Sequence, residues 1–158
     1  MNIITTSRKP CRNTRVFVRQ LAPLIYATYV TRGKSSINSL AEMAEYEGIN
    51  KLVVVSESKG NPAEIILYNI DKGFALDKTY KITYYRLSEK KYNPNGFKLN
   101  LVKKQNIEFF DNFGVESIDS KYTVIDEDAI TLKRKEEIGL RFKIALKVIL
   151  NAWYENRG

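Results

Sequence analysis

The sequence predicts an α/β (α+β) fold in which a mixed sheet is flanked by helices. Strand-like and helix-like segments alternate as far as Asn69, and the remainder of the chain is richer in strand patterns. The chain has 158 residues, of which 44% are hydrophobic, and it carries no Gly/Ser-rich or Pro-rich linker. This length and composition suit one domain with one core.

The first strand and the first helix follow from an apolar run and a helical spacing. Asn2–Thr6 is a short apolar run suited to a strand, and Ser7 and Pro10 favour a turn after it. A helix over Arg12–Ile25 comes next, and Pro23 should kink or end it. Its predicted core-facing residues are Val16, Phe17, Leu21, Leu24 and Ile25.

A second strand and a second helix are predicted after Pro23. The aromatic and β-branched run Tyr26–Val30 favours a strand, which Gly33 ends. Ser35 or Ser36 is typical of a helix N-cap, and the apolar spacing continues the helix to Tyr46. The next predicted strands are Lys51–Ser56, Ala63–Asn69, Lys78–Leu87 and Gly96–Val102.

The C-terminal part is predicted to contain a helix and a long strand. Ile107–Ile118 has helically spaced apolar residues, and Gly114 breaks that pattern. Every second residue of Ile138–Leu150 is apolar, which predicts a long or bent strand. A helix over Ala145–Tyr154 is the alternative for the end of this segment.

Positive charge is concentrated at the beginning of the chain. The first 41 residues contain no acidic residue and seven cations, Arg8, Lys9, Arg12, Arg15, Arg19, Arg32 and Lys34. Five of these are arginines, whose planar guanidinium groups pair with phosphate in a bidentate manner. Arg12, Arg15 and Arg19 are spaced by three and four residues, so they share one helix face. The helix N-terminus would add backbone N–H donors for one more phosphate.

The net charge of +8 and the pI of about 9.5 favour RNA, DNA or an anionic membrane as the partner. The sequence has no stretch of about 18 apolar residues, the length that a membrane-spanning helix needs. Met1–Pro10 also lacks the apolar run of a signal peptide. We therefore expect a cytoplasmic protein without a membrane partner. Glu108 to Asp128 contains seven acidic residues and one lysine. Any polyanion should therefore meet the N-terminal part.

Motifs for catalysis are missing from the sequence, and nothing in it points to the remaining alternative, metal-dependent hydrolysis through carboxylates. There is no histidine, and Cys11 is the single cysteine, which removes the usual zinc ligands and the commonest general base. The GKSS stretch, Gly33–Ser36, lacks the earlier glycine of a phosphate-binding loop, because Thr28 stands there. Glu136 and Glu137 are expected on opposite sides of a strand, in solvent. We therefore expect neither a catalytic site nor a metal or cofactor site.

Three stretches of the sequence resemble the Brix domain family. They are TTSRKPCRNTRVFVRQL (Thr5–Leu21), YVTRGKSS (Tyr29–Ser36) and VVVSESKGNPAEI (Val53–Ile65). They correspond, in order, to the family's TTSRKP..RTR.F...L opening, its NRG element and its VV.E..G.P segment. Cys11 stands where a serine is common, and Thr31 stands where the family has asparagine; neither difference removes a charge.

The resemblance implies a single Brix-like domain over residues 1–158, with two similar halves at about 1–88 and 89–158. Each half would resemble the anticodon-binding domain of class IIa aminoacyl-tRNA synthetases. It also implies a monomeric, non-enzymatic ribosome biogenesis factor, like the archaeal single-domain members, that binds ribosomal or precursor ribosomal RNA and assists its processing and assembly. Ribosomal or assembly proteins are further expected partners. The alternative is a protein-interaction module of a ribosome-assembly complex, in which RNA contact is incidental.

The expected RNA-binding residues are Arg8, Lys9, Arg12, Arg15, Arg19, Arg32, Lys34 and Lys59. If the first two strands are parallel and joined by a helix, the loops that follow them leave the sheet at the same edge. The loop cations should then flank the three helix arginines in one continuous basic surface. Tyr26, Tyr29 and Tyr68 either stack unpaired bases or are half-buried strand residues.

Overall fold

A computed structural model describes residues 2–71, 73–90, 99–103 and 105–147. Within these residues nine strands form one sheet, and three α-helices flank it. The strands are β1 (Asn2–Thr6), β2 (Ala27–Tyr29), β3 (Lys51–Ser58), β4 (Asn61–Asn69), β5 (Ala75–Arg86), β6 (Leu99–Val102), β7 (Tyr122–Asp126), β8 (Ile130–Arg134) and β9 (Glu137–Leu146). The helices are α1 (Arg12–Leu21), α2 (Ile37–Tyr46) and α3 (Ile107–Asp111). No described helix is long and apolar enough to cross a membrane.

The sheet is mixed, and its strand order is β2-β1-β3-β4-β5-β9-β8-β7-β6. β1 pairs with β3 in parallel orientation, β3 pairs with β4 in antiparallel orientation, and β4 pairs with β5 in antiparallel orientation. The same succession runs from β6 through β7 and β8 to β9. The two series meet where β5 pairs with β9 in antiparallel orientation. The predicted mixed sheet with flanking helices is confirmed, whereas the division of the chain near residue 88 stays a prediction.

The helices cover the two faces of the sheet unequally. On the first face, α1 and α3 pack into one apolar cluster with strand residues such as Ile4 and Val53. On the second face, α2 packs over Ile3, Leu52 and Val54 of β1 and β3. The alternation of side chains along each strand separates the two clusters.

Phe142 of β9 connects the two helices of the first face. Its ring centroid lies 5.7 Å from that of Phe17 in α1 and 6.1 Å from that of Phe109 in α3, both in edge-to-face geometry. All three rings are buried. Since β9 pairs with β5 at the centre of the sheet, this aromatic contact joins the two series of strands.

The predicted elements of the N-terminal part are confirmed with small changes in their bounds. The α-helix ends at Leu21, and Pro23 lies in a 3₁₀ helix over Ala22–Ile25, as expected from its missing N–H group. The core-facing prediction for α1 is wrong at Val16, which is only half-buried, whereas Thr14 and Val18 are fully buried. Ser36 is the N-cap of α2, and its Oγ accepts a hydrogen bond of 3.1 Å from the backbone N–H of Ser39.

The C-terminal part differs more from the predicted elements. The helix predicted over Ile107–Ile118 ends at Asp111, because the Nδ2 group of Asn112 donates to the carbonyls of Glu108 and Phe109 and Gly114 adopts a positive φ of 68°. Because the helix ends at Asp111, the chain turns back and Val115 is also buried in the core.

Strands β7 and β8 were not predicted at all. The acidic run begins at Asp126, the last residue of β7, and continues through Glu127 and Asp128 in the connection to β8, so it obscured the apolar residues on either side. Glu136 lies in the turn before β9 rather than opposite Glu137 in a strand. The predicted strand over Ile138–Leu150 is present as far as Leu146. The structure does not describe residues 148–150, so the end of this strand and the helix alternative beyond Lys147 lie outside the described residues. The same holds for the start of the predicted strand over Gly96–Val102.

A carboxylate lies at the start of the helix in each series of strands. The Oε1 atom of Glu57, in β3, accepts hydrogen bonds from the backbone N–H of Cys11 at 2.7 Å and from the Oγ1 hydroxyl of Thr14 at 2.6 Å. Asp126, in β7, accepts from the backbone N–H of Asn106 at 3.0 Å and from its Nδ2 group at 2.8 Å. Each carboxylate therefore satisfies a donor that the helix itself leaves unpaired.

The two carboxylates differ in burial, and the directions of their pKa values differ accordingly. The hydrogen bonds from Thr14 and Cys11 lower the pKa of Glu57 from its ordinary 4.5. Complete burial raises the pKa of Asp126, and the hydrogen bonds from Asn106 offset that effect only in part.

We predict that Phe142→Ala lowers the free energy of unfolding by about 3–5 kcal/mol, because it opens a cavity between α1 and α3. Urea unfolding followed by circular dichroism measures this loss. Tyr84→Ala is the matched control, since this aromatic ring is 39% exposed on the same sheet. Equal losses in the two variants would contradict the packing role of Phe142.

We predict opposite pH dependences for Glu57→Gln and Asp126→Asn. The lowered pKa of Glu57 makes its stabilisation complete above about pH 4.5 and removes it as the pH falls further, so Glu57→Gln costs about 1 kcal/mol at pH 7 and less in acid. Because the pKa of Asp126 is raised, the wild type loses folding stability as the pH rises and this carboxyl group ionises. The free energy of unfolding of Asp126→Asn therefore increases relative to that of the wild type between acid and neutral pH. Denaturant titrations at several pH values measure both differences, and slopes of the same sign would refute this assignment.

Candidate nucleic-acid interface

The directions of three strands bring three loops to one edge of the sheet. β1 runs parallel to both β2 and β3, so the chain leaves all three strands at the same end. Backbone hydrogen bonds from Ser7 N to Val55 O at 3.0 Å and from Val30 N to Ile4 O at 2.9 Å hold the first two loops against neighbouring strands. Four exposed cations lie on these loops, and we call them the basic edge: Arg8, Lys9, Lys34 and Lys59.

The exposed side of α1 adjoins the basic edge. Arg12, Arg15 and Arg19 are all exposed there, as the helical spacing predicted, and we call them the arginine face. The Nη1 group of Arg15 donates to the carbonyl of Pro10 at 3.0 Å, and the Cζ atom of Arg19 lies 5.7 Å from the ring centroid of Tyr29. Both contacts leave most guanidinium donors available.

Arg32 does not belong to the exposed surface that the sequence predicted for it. It is only 8% exposed, and its Nη1 and Nε groups donate to the carbonyls of Thr6 at 3.0 Å and Ser35 at 2.7 Å. Burial lowers the pKa of Arg32, and the nearby charge of Arg8 acts in the same direction. Arg32 therefore connects the loop after β2 to the end of β1.

The helix N-terminus is also unlike the prediction, which assigned it to a phosphate. Glu57 already accepts the Cys11 N–H and places its negative charge there. A second anion at this position would be repelled by the carboxylate. At this edge the exposed cationic side chains are therefore better placed than the helix N-terminus to meet an anion.

All three tyrosines are half-buried. Tyr29 and Tyr68 are strand residues, as the strand alternative has it, whereas Tyr26 lies in the turn before β2 with a positive φ of 52°. Tyr68 stacks on Phe74 with centroids 5.1 Å apart, and burial raises its pKa. The hydroxyl of Tyr26 donates to the carbonyl of Glu116 at 3.4 Å. Tyr29 lies beneath Arg19 and is the one of the three that adjoins the arginine face.

Glu57 and Asn61 are two residues of this region that the sequence analysis did not single out. The Oδ1 atom of Asn61 accepts from the Nδ2 group of Asn13 at 3.3 Å and from the hydroxyl of Tyr85. Both residues lie in the third stretch of the resemblance, and their partners Cys11 and Asn13 lie in the first. The signal was present in the sequence, but only the fold shows that these stretches contact each other.

In the described part of the chain, no group of three or more histidine, cysteine or acidic residues could hold a metal ion. The seven exposed cations are the outstanding chemical feature of this region. None of them forms a salt bridge with a described residue, since the four ion pairs found there involve other lysines. Their charges are available to a polyanion.

Comparison with protein-family models finds no match. Two solved structures share the fold: a probable ribosomal biogenesis protein from Aeropyrum pernix (TM-score 0.71, 24% identity, 93% of this chain and 96% of that one) and Mil, an archaeal Imp4-like protein (TM-score 0.70, 23% identity, 94% of this chain and 99% of that one).

Among curated proteins, the chain resembles probable Brix domain-containing ribosomal biogenesis proteins of archaea. The relative from Archaeoglobus fulgidus is 41% identical over 87 residues, and the match spans about half of each protein, 52% of this chain and 54% of the relative. The relative from Methanococcus maripaludis is 30% identical over 139 residues, which are 85% of this chain and 82% of the relative. This nearly full-length similarity, together with the shared fold, shows that the chain belongs to the Brix domain family.

Proposed function

We propose that this protein is a ribosome biogenesis factor that binds ribosomal or precursor ribosomal RNA and assists its processing and assembly without catalysing a reaction. The names of its relatives support the role in ribosome biogenesis. One observation carries the RNA-binding part: seven exposed cations, none in a salt bridge with a described residue, lie on the basic edge and the arginine face.

The arrangement suits the phosphate backbone of RNA. Guanidinium groups on one helix face offer forked donors at regular spacing, and the lysines of the adjoining loops add point charges. The one acidic residue of the third stretch that reaches α1, Glu57, is engaged by Cys11 and Thr14. A polyanion approaching from this side therefore meets positive charge and exposed donors.

Arg32 supports this surface indirectly. Its two backbone contacts fix the loop that carries Lys34 against the end of β1, where the loop carrying Arg8 and Lys9 begins. We assign it a positioning role rather than a phosphate contact. Lys59 and Lys9 both have positive φ angles of 52°, which turn their loops sharply at this edge.

The alternative function is a protein-interaction module in which RNA contact is incidental. The two functions differ in their salt dependence, because binding to phosphates releases counterions whereas docking of an apolar protein surface does not. RNA affinity that falls steeply with salt supports our proposal. Salt-insensitive, saturable binding to an assembly protein, with weak RNA binding, supports the alternative.

We predict that Arg12→Gln, Arg15→Gln and Arg19→Gln together reduce the slope of log affinity against log salt by about 2 to 3 in magnitude, since each lost phosphate contact removes roughly 0.7–0.9. Filter binding or fluorescence anisotropy with rRNA fragments at several salt concentrations measures the slope. Thermal stability should stay close to the wild type, because exposed charges contribute little to it.

The matched control for this triple variant is Lys103→Gln, Lys121→Gln and Lys135→Gln. These lysines are exposed in the C-terminal part, so the net charge changes equally while the N-terminal surface is kept. The control should bind RNA nearly as the wild type does. Equal losses in the two triple variants would show that only net charge matters and that the RNA site is not on the arginine face.

We predict that Arg32→Lys changes stability alone and that Lys34→Gln changes RNA binding alone. Arg32→Lys keeps the charge but loses the fork, so it lowers the free energy of unfolding by about 1–3 kcal/mol and leaves the salt slope of RNA binding unchanged. Lys34→Gln reduces the slope by roughly 0.7–0.9 and leaves stability unchanged. A changed slope with unchanged stability in Arg32→Lys would show that Arg32 contacts RNA directly.

A further inference from the structure

We propose that the uncovered face of β5, β9 and β8 is a second RNA-contacting surface, which binds phosphates of the same RNA that the basic edge holds. The inference rests on the proposed function, but it concerns a different face of the sheet and different residues. It also assigns RNA contact to the C-terminal part of the chain.

The strand pairings identify this face. α2 covers the second face of the sheet over β1 and β3, and Ile66 of β4 packs against the same cluster. Ile66 pairs with Thr79, so the alternation along β5 places Lys81 on this face. After the irregularity between Ile82 and Tyr84, the residues on this face are Tyr84 and Arg86, opposite Lys143 and Arg141 of β9. All of these residues beyond Thr79 are exposed or half-buried, so no described helix covers this part of the face.

From Lys81 of β5 onwards, β5, β9 and β8 place five cations and no acidic residue on this face. The cations are Lys81, Arg86, Lys133, Arg141 and Lys143. None of them forms a salt bridge with a described residue. The nearest acid across the sheet is Glu64 of β4, which already pairs with Lys147 at 3.0 Å.

Two features of this face raise the energy of the folded protein when no ligand is bound. Arg86 and Arg141 pair directly across β5 and β9, and like charges in directly opposed positions destabilise a sheet. The Nε atom of Arg141 is also buried without a hydrogen-bond partner among the described residues. A phosphate between the two guanidinium groups would remove the repulsion and supply acceptors.

An aromatic ring adds a contact suited to nucleic acid. Tyr84 is 39% exposed, and the Nζ atom of Lys143 lies 5.8 Å from its ring centroid. A tyrosine beside lysines and arginines on an open strand can stack a base while the cations meet the adjacent phosphates. This combination favours RNA over an acidic protein segment, which would use the charges alone.

The two surfaces lie at the same edge of the sheet. β5 is antiparallel to β4, which is antiparallel to β3, so the end of β5 at Arg86 lies at the edge where β3 ends. The hydroxyl of Tyr85 donates to Asn61, two residues after Lys59 of the basic edge. An RNA strand that crosses this edge therefore passes from the basic edge to Arg86 and Arg141.

The test is Arg86→Gln with Arg141→Gln, compared with Lys103→Gln and Lys121→Gln, which remove the same charge outside this face. In rRNA binding, the arginine variant should lose about tenfold in affinity and about 1.5 in the magnitude of the salt slope, while the lysine control stays near the wild type. The thermal midpoint of the arginine variant should not fall, since the repulsion between the two arginines is relieved. Photocrosslinking of thiouridine-labelled RNA to the wild type should also yield peptides that contain Tyr84.

Failure of this inference is distinguishable from failure of the proposed function. If the wild type shows no salt-dependent RNA binding, the proposed function is wrong. If the wild type and the arginine-face variant behave as predicted above but Arg86→Gln with Arg141→Gln binds RNA like the wild type, only the second surface is refuted. Loss of binding to an assembly protein without loss of RNA binding would likewise overturn it in favour of a protein contact.

Discussion

The position of α1 depends on a carboxylate from a strand that is distant in sequence. Glu57 belongs to β3, yet it accepts the N–H of Cys11 and the hydroxyl of Thr14 at the start of α1. This contact fixes the helix relative to the parallel pair of β1 and β3. Asp126 makes the corresponding contact in the second series of strands, where it belongs to β7 and accepts from Asn106 before α3. In both cases an internal anion satisfies the helix start, so the helix can be held at an exposed edge without an external ligand.

The same constraint determines what kind of binding surface the edge offers. Because Glu57 accepts the N–H of Cys11 and places a negative charge at the N-terminus of α1, a phosphate is disfavoured there. The side chains of the arginine face and the basic edge remain, and they are long and flexible. Such a surface follows the shape of a folded RNA backbone and does not select one phosphate in one geometry. It therefore agrees with the RNA-holding role that we propose.

Sequence patterns predicted most of the first half of the chain and less of the second. Phe17 and Leu21 at the core and Ser36 at a helix cap follow from local spacing, which a sequence displays directly. Strands β7 and β8 were missed because the acidic residues Asp126 to Asp128, at the end of β7 and in the connection after it, interrupt two short apolar segments. The helix after Ile107 ended early because of hydrogen bonds from Asn112, and a side-chain contact of this kind leaves no periodic signal.

Arg32 shows the limit of assigning binding residues by charge alone. By residue type it matches the exposed arginines of α1, and only the pairing of β1 with β2 shows that its donors are directed at Thr6 and Ser35. Its charge nevertheless acts on the surface, because a buried cation is screened less by water than an exposed one. Burial and, after it, the nearby charge of Arg8 both lower the pKa of Arg32 in the free protein. An anion near Arg32 would offset this unfavourable environment, while the hydrogen bonds of Arg32 maintain the loop.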